Sequence, residues 1–193
     1  MEGDGSLDRV VTFARLDDRD MPTTWVMTWF RSGVRPESIP LEKHPFSYPR
    51  LVGTVDADRD GGDEIFVKVN DHLYHSGGSP IVGIFTFHRD ELRRVQENGE
   101  PFEADINGVS NYGTGLRCED VDEDGDPELV LIRVSSALSD RPRWSLTTYE
   151  WAGASVVQKG TQSGRMRREG YPDPRVSAYY ELRCFELNPP YPY

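Results

Sequence analysis

Two short stretches of the chain place carboxylates at every second position and then close with a glycine and a glutamate. In the first stretch the acidic residues at positions 1, 3, 5 and 9 are Asp56, Asp58, Asp60 and Glu64. The second stretch has the same pattern 64 residues further on, at Asp120, Asp122, Asp124 and Glu128. Carboxylates that converge from a tight loop are ligands for hard cations, and Ca²⁺ is their usual occupant.

A glycine follows the third aspartate in both stretches. Gly61 and Gly125 supply the backbone freedom that a loop needs to turn its ligands toward one point. The backbone carbonyls of Gly62 and Asp126 would each add an inward oxygen. Each loop then offers about five oxygen ligands plus water, which suits the six to eight that Ca²⁺ takes. The sequence therefore predicts two calcium sites.

Each stretch runs directly into a short segment rich in β-branched residues, IFVKV after the first and LVLIRV after the second. Such segments are typical of strands. An EF-hand needs flanking helices and a bidentate glutamate at position 12, where this chain has Val67 and Leu131. The pattern therefore predicts loops that enter strands, and it argues against EF-hands.

The two stretches resemble the FG-GAP repeat of integrin-α-like propellers and of related VCBS-type bacterial surface proteins. In that family an aromatic–glycine pair and an apolar segment precede the acidic loop. Residues 111–131 carry the whole pattern, with Tyr112 and Gly113 as the pair, whereas residues 47–67 have Pro49 in place of the glycine. The resemblance implies propeller-like blades, with Ca²⁺ on the aspartate and glutamate side chains of both loops.

The acidic loops also have a second interpretation. Aspartate and glycine are favoured in tight turns for conformational reasons alone, so both loops can be acidic hairpin turns that bind little. Against this, five carboxylates crowd into residues 56–64 and repel one another, and a bound cation relieves that repulsion. The sequence leaves both interpretations open.

A third, degenerate copy of the loop lies near the start of the chain. It keeps Asp18 and Asp20, but Leu16 and Thr24 stand where the complete loops have their first aspartate and their glutamate. Because two ligands are lost, we expect this loop to bind Ca²⁺ poorly.

Composition favours an all-β domain. The 18 glycines and 14 prolines predict many turns, and no window shows a sustained helical period. The best helix candidate, residues 89–99, also matches an outer hairpin, and we predict a hairpin there.

We expect one domain of propeller-like antiparallel blades in about three units. A propeller normally needs four to eight blades, so the units form a fragment, an open array, or a compact sheet packing that reuses the blade motif, and the sequence leaves these three open. The predicted units are residues 8–47 (degenerate), 48–111 and 112–172. Residues 176–187 would form a closing strand.

The net charge of −11 argues against a nucleic-acid partner, which needs a basic footprint, and against anionic membrane surfaces. No apolar run is long enough for membrane insertion. The acidic, polar start lacks a signal peptide, so a native start would make the protein cytoplasmic. We nevertheless expect an extracellular or cell-surface protein whose export signal is absent from this sequence, because weak calcium loops need the Ca²⁺ that is plentiful outside cells.

Cys118 and Cys184 each lie in an apolar, strand-like context. An even number of cysteines in an exported protein suggests a disulfide, which in this chain would close a loop of some 66 residues. Two buried free thiols are the alternative.

The chain has no nucleophile-elbow, zinc-protease or phosphate-loop motif. We therefore expect a binding module rather than an enzyme, with structural Ca²⁺ and a protein or glycan as its ligand. Two alternatives stay open. One is a polysaccharide-acting hydrolase that uses acidic residues outside the loops, and the other is a structural spacer domain.

Overall fold

The computed structural model of the chain describes residues 9–16, 18, 22–30, 35–41, 49–70, 81–88, 91–109, 112–135, 142–165 and 182–184. The regular structure within these ranges is β, and no α-helix occurs in them. The prediction of an all-β protein is therefore confirmed. No helix in this part of the chain is long and apolar enough to cross a membrane.

The described residues form 15 strands. In chain order they are β1 Arg9–Leu16, β2 Pro22–Phe30, β3 Glu37–Leu41, β4 Arg50–Val55, β5 Glu64–Asn70, β6 Ile81–His88, β7 Glu91–Arg94, β8 Gln96–Glu97, β9 Glu100–Pro101, β10 Glu103–Asp105, β11 Asn107–Val109, β12 Tyr112–Glu119, β13 Glu128–Ser135, β14 Arg143–Trp151 and β15 Ser155–Arg165.

The strands assemble into three sheets. The first sheet has the antiparallel order β1-β2-β3. The second is the meander β4-β5-β6, with β10 pairing along the start of β6 and β7 along its end. The third has the order β11-β12-β13-β14-β15-β8-β9. One sheet curls into a half-barrel.

Strands β4 to β7 and β12 to β15 follow one another in the same way. Corresponding strands begin 62 or 64 residues apart. Val55 pairs with Glu64 where β4 meets β5, and Glu119 pairs with Glu128 where β12 meets β13. Both acidic loops therefore connect the first and second strands of an antiparallel meander.

Two short segments of the chain join the third sheet before β12 begins. The β8–β9 hairpin turns through Asn98 (φ 53°) and Gly99 (φ 85°) and pairs in parallel with β15. Strand β11 then pairs with β12. In the second sheet, residues 91–94 form β7, which pairs antiparallel with β6 as the outer strand of the hairpin predicted at 89–99, and residues 91–99 contain no helix.

The three sheets stack as three layers. Alternate residues of a strand face opposite sides of its sheet, so a strand of the middle layer contributes to two cores. In β5, Phe66 lies in the core between the second and third sheets, whereas Ile65 and Val67 lie in the core between the first and second. In β13, Leu129 faces the second sheet and Val130 belongs to a separate buried cluster. Both faces of the second sheet are therefore covered.

A disulfide joins Cys118 in β12 to Cys184, as predicted, and both residues are buried. Beside it, Leu182 forms a parallel bridge with Leu116, and the Arg183 amide donates to the Leu116 carbonyl at 2.9 Å. Apart from residues 182–184, the predicted closing strand lies outside the described residues. The limits of the predicted units stay predictions.

Candidate metal centres

The first acidic loop, residues 56–63, and the second, residues 120–127, share an unusual backbone. The fourth residue of each has a positive φ, 58° at Arg59 and 63° at Glu123. The glycine two residues later is also positive, at 94° for Gly61 and 104° for Gly125. These angles turn the chain sharply, so that alternate carboxylates point to the same side.

Side-chain to backbone hydrogen bonds hold this turn in both loops. In the first loop, Asp58 Oδ1 accepts from the Asp60 amide at 3.1 Å and Asp60 Oδ1 accepts from the Gly62 amide at 2.8 Å. In the second loop the same bonds measure 3.3 Å, from the Asp124 amide to Asp122, and 2.9 Å, from the Asp126 amide to Asp124. The two loops therefore have the same internal bonding as well as the same spacing.

A glutamate closes each loop from the following strand. Glu64 Oε2 accepts from the Ala57 amide, and Glu128 Oε2 accepts from the Val121 amide, both at 2.8 Å. These bonds bring position 9 of the loop back to position 2. As a result, the glutamate side chain lies next to the first two aspartates.

In each loop the structure brings three of the predicted ligands together. The two triads are Asp56, Asp58 and Glu64, and Asp120, Asp122 and Glu128. In each triad, one oxygen from every residue lies within 4.8 Å of the others. Oxygens that share one Ca²⁺ at about 2.3–2.6 Å are at most about 5 Å apart, so each triad can hold a metal ion.

The other predicted ligands lie in the same loops but outside the triads. Asp60 and Asp124 each use Oδ1 to accept a backbone amide, and each has a second oxygen to offer. The inward carbonyls of Gly62 and Asp126 stay predictions.

A buried oxygen without a hydrogen-bond partner lies at the first position of both loops. Asp56 Oδ1 and Asp120 Oδ1 are shielded from solvent, and neither has a hydrogen-bond partner. Buried polar atoms are nearly always paired, and burying an ionised oxygen without a partner is costly. The same unpaired atom at the same place in two loops marks a position that a cation would complete.

Burial and mutual repulsion disfavour charge in both loops. Burial, reinforced by the Asp58 carboxylate, raises the pKa of Glu64 to about 8. Burial also raises the pKa of Asp58 to about 6, with Asp60 and Asp56 adding to the rise. The pKa of Asp56 and that of Glu128 are raised as well, in both cases mainly by burial. A bound cation would favour the ionised carboxylates and so offset the cost of burying their charge.

The first loop is packed more deeply than the second. Ala57, at its second position, is fully buried in the core against the third sheet, whereas the equivalent Val121 is 45% exposed. Glu64 also has an additional partner, because its Oε1 accepts from the Thr86 hydroxyl at 2.9 Å. The first loop is therefore the more firmly held of the two.

The pattern of residues did not indicate Thr86, which lies on β6. The register of β5 and β6 sets Ile65 opposite Phe85, so Thr86 falls beside Glu64 on the neighbouring strand. The register of the two strands, which the sequence does not give, is the information that identifies Thr86 as a neighbour of Glu64. Arg59 of the first loop donates a hydrogen bond to the Gly125 carbonyl of the second. The sequence did not indicate this contact either, because spacing along the chain does not say which loops are neighbours.

The degenerate upstream loop is shorter than the other two. Leu16 pairs with Pro22, which leaves five residues in the connection, against eight between Val55 and Glu64. Thr24 pairs with Arg15 inside the hairpin, so it does not stand at the start of the strand as Glu64 does. Asp18 is exposed, and Asp20 lies outside the described residues.

Comparisons of the chain with family models, with curated proteins and with solved structures found no match.

Proposed function

We propose that each acidic loop binds one Ca²⁺ and that the ions are structural. The observation that carries this proposal is the pair of buried, unpaired oxygens, Asp56 Oδ1 and Asp120 Oδ1. A cation is the partner that such oxygens need. All the side chains of the triads are carboxylates, and an oxygen-only ligand set suits hard cations rather than zinc or copper.

The position of the loops supports a structural role for the ions. Each loop joins two strands of a sheet, and its glutamate lies at the first residue of the second strand. A cation would fix the loop, and with it the start of that strand. Among the residues that the structure describes, the carboxyl groups with a raised pKa lie in the two loops or close them: Asp56, Asp58, Glu64 and Glu128. They therefore favour cation binding over the hydrolase alternative, which would use acids elsewhere.

We further propose that the meanders β4–β7 and β12–β15 are propeller-like blades of a secreted or cell-surface module that binds a protein or a glycan. Three features support this. The sheets stack face to face, the two meanders carry their acidic loops at the same connection, and the disulfide is typical of oxidising compartments. Extracellular Ca²⁺ would then suffice for sites with a Kd of about 10⁻⁴–10⁻³ M.

Thermal unfolding with and without calcium tests the proposal. An ion that binds only the folded chain stabilises it by about 2.7 kcal/mol per site when its free concentration is about 100 times Kd. We therefore expect the melting temperature to rise from EDTA to millimolar Ca²⁺, and to keep rising with the concentration of the ion.

Ionic strength needs its own control, because salt screens the repulsion within a chain of net charge −11. NaCl at the same ionic strength should raise the melting temperature less than CaCl₂ does. MgCl₂ should also do less, since Mg²⁺ demands near-ideal octahedral geometry and dehydrates reluctantly. Melts in EDTA, NaCl and CaCl₂ that overlay one another would count against bound calcium.

A further inference from the structure

The two candidate metal loops touch each other. Arg59, at the fourth position of the first loop, donates a hydrogen bond from Nη1 to the backbone carbonyl of Gly125 in the second loop. The two residues are 66 positions apart in the chain. The positive φ of Arg59, 58°, belongs to the sharp turn from which its side chain reaches the other loop.

On the side of the second loop, Gly125 lies between Arg59 and a metal-ligand candidate. Its carbonyl accepts from the guanidinium, and its amide donates to Asp120 Oδ2 at 3.0 Å. Asp120 is the residue whose other oxygen, Oδ1, is buried without a partner. The carbonyl and the amide belong to adjacent peptide groups joined at the Gly125 Cα, so a guanidinium that fixes the carbonyl also limits the movement of the amide that orients Asp120.

On the side of the first loop, Arg59 is held by candidate ligands. Its backbone amide favours the ionised form of the Asp56 carboxylate and so acts to lower the pKa of that group. Its neighbours Asp58 and Asp60 are joined by the turn hydrogen bond at 3.1 Å. Arg59 thus connects the turn of the first loop to Gly125 of the second loop, and the Gly125 amide in turn holds Asp120.

The second loop cannot make the same contact back to the first loop. The residue of the second loop that corresponds to Arg59 is Glu123, which has nearly the same φ, 63°, but the opposite charge. An acidic side chain cannot donate to a carbonyl at neutral pH. Arg59 is therefore a specific feature of the first loop and not a general property of the nine-residue pattern.

We propose that Arg59 is a positioning residue that couples the two cation sites, so that filling either loop raises the affinity of the other. A cation in the first loop fixes Asp56 and the turn that carries Arg59. Arg59 then holds Gly125 through its carbonyl, and the amide of the same residue keeps Asp120 oriented for the second ion. Coupling between sites is reciprocal, so an ion in the second loop stabilises the first to the same degree. This inference rests on the proposed calcium function.

The sign of the effect separates this coupling from simple electrostatics. Two bound divalent cations repel each other, so through-space forces alone make the second ion bind more weakly. Arg59 is itself a cation near both loops, and charge alone predicts that Arg59→Ala tightens calcium binding. The coupling predicts the reverse, a loss of affinity in the second loop.

Calcium titration calorimetry on a mutant cycle tests the proposal. Asp58→Ala disables the first loop and reports the affinity of the second, in the wild-type background and again in the Arg59→Lys background. Lysine keeps the charge of Arg59 but lacks its planar, pre-organised fork of donors. In the wild-type background, disabling the first loop should weaken the second about fivefold or more, the usual lower range of coupling between sites. In the Arg59→Lys background, that loss should shrink to within about twofold.

Comparing the two backgrounds removes the effect of the charge lost at Asp58, because that charge is lost in both. Arg93→Ala serves as a matched control, since Arg93 is an exposed arginine that pairs with Glu91 on β7. This variant should titrate like wild type. Circular dichroism of each variant checks that the fold is kept.

Three results would overturn the coupling. They are equal losses in the two backgrounds, tighter binding in Arg59→Ala, and wild-type loops that fill independently of each other. If wild-type protein takes up no calcium at all, the proposed function fails together with the coupling. If it takes up two independent ions, only the coupling fails.

Discussion

Glu64 and Glu128 serve their loops in two ways. Each offers an oxygen to its triad, and each uses Oε2 to hold a backbone amide seven residues earlier in the chain. A carboxylate oxygen has two lone pairs, so it can accept the amide and still bind a cation. The sequence indicated these residues only as metal ligands. The structure shows that they also close the loop.

The raised pKa of Glu64 leads to a prediction about pH. A carboxyl group whose pKa is higher in the folded than in the unfolded chain stabilises the fold at low pH, and this contribution is lost as the pH rises through the folded value. For Glu64 the window runs from its ordinary 4.5 to about 8. We expect the free energy of unfolding of EDTA-treated protein to fall across this window. Calcium-saturated protein should not show the fall, because the ion favours the ionised carboxylates.

Urea unfolding at a series of pH values, with EDTA and with excess Ca²⁺, measures both curves. Glu64→Gln is the control, because its amide does not titrate, and its EDTA curve should fall less steeply than that of wild type. If the two proteins have the same slope in EDTA, the penalty does not come from Glu64.

At the scale of elements, each acidic loop depends on one glycine with a positive φ. An added Cβ at Gly61 or Gly125 meets no atom within 4 Å, so only the backbone conformation opposes a side chain there. Alanine in a left-handed conformation costs about 1–2 kcal/mol. We expect Gly61→Ala and Gly125→Ala each to lower the free energy of unfolding by about that amount, as measured by urea unfolding in Ca²⁺.

Gly160 in β15 offers a matched control. Its added Cβ also meets nothing within 4 Å, but its φ is not in the left-handed region. Gly160→Ala should therefore be neutral or slightly stabilising. Equal effects at all three glycines would show that the loops do not need their strained turn.

Local patterns predicted the elements well and their neighbours poorly. The β-branched segments after each loop predicted β5 and β13, and residues 91–94 form the outer strand of the predicted hairpin. The parallel pairing of β8 with β15 had no local signal. Alternation along a strand shows which side chains share a face, but it does not say which distant strand lies alongside. For the same reason, the sequence could not predict the contact between Arg59 and Gly125.

At the scale of the whole molecule, stacked sheets and a disulfide hold together a chain that is strongly acidic. The Cys118–Cys184 bridge closes 66 residues, and chain-entropy models value such a constraint at about 4 kcal/mol. It ties the described end of the chain to β12, the strand that leads into the second loop. Two bound Ca²⁺ would offset four of the 11 net negative charges, so ion binding would act on the whole fold as well as on each loop.

The stoichiometry of bound calcium tests the central claim most directly. Equilibrium dialysis against Ca²⁺ at about ten times the weakest expected Kd, on the order of 10 mM, followed by metal analysis, should give about two ions per wild-type chain, because each triad provides one site. Asp58→Ala and Asp122→Ala should each give about one, since each removes a triad member. Asp18→Ala should leave two, because the shorter upstream loop lacks two ligands. A wild-type value near zero, or values unchanged in the Asp58 and Asp122 variants, would contradict the assignment of the loops as calcium sites.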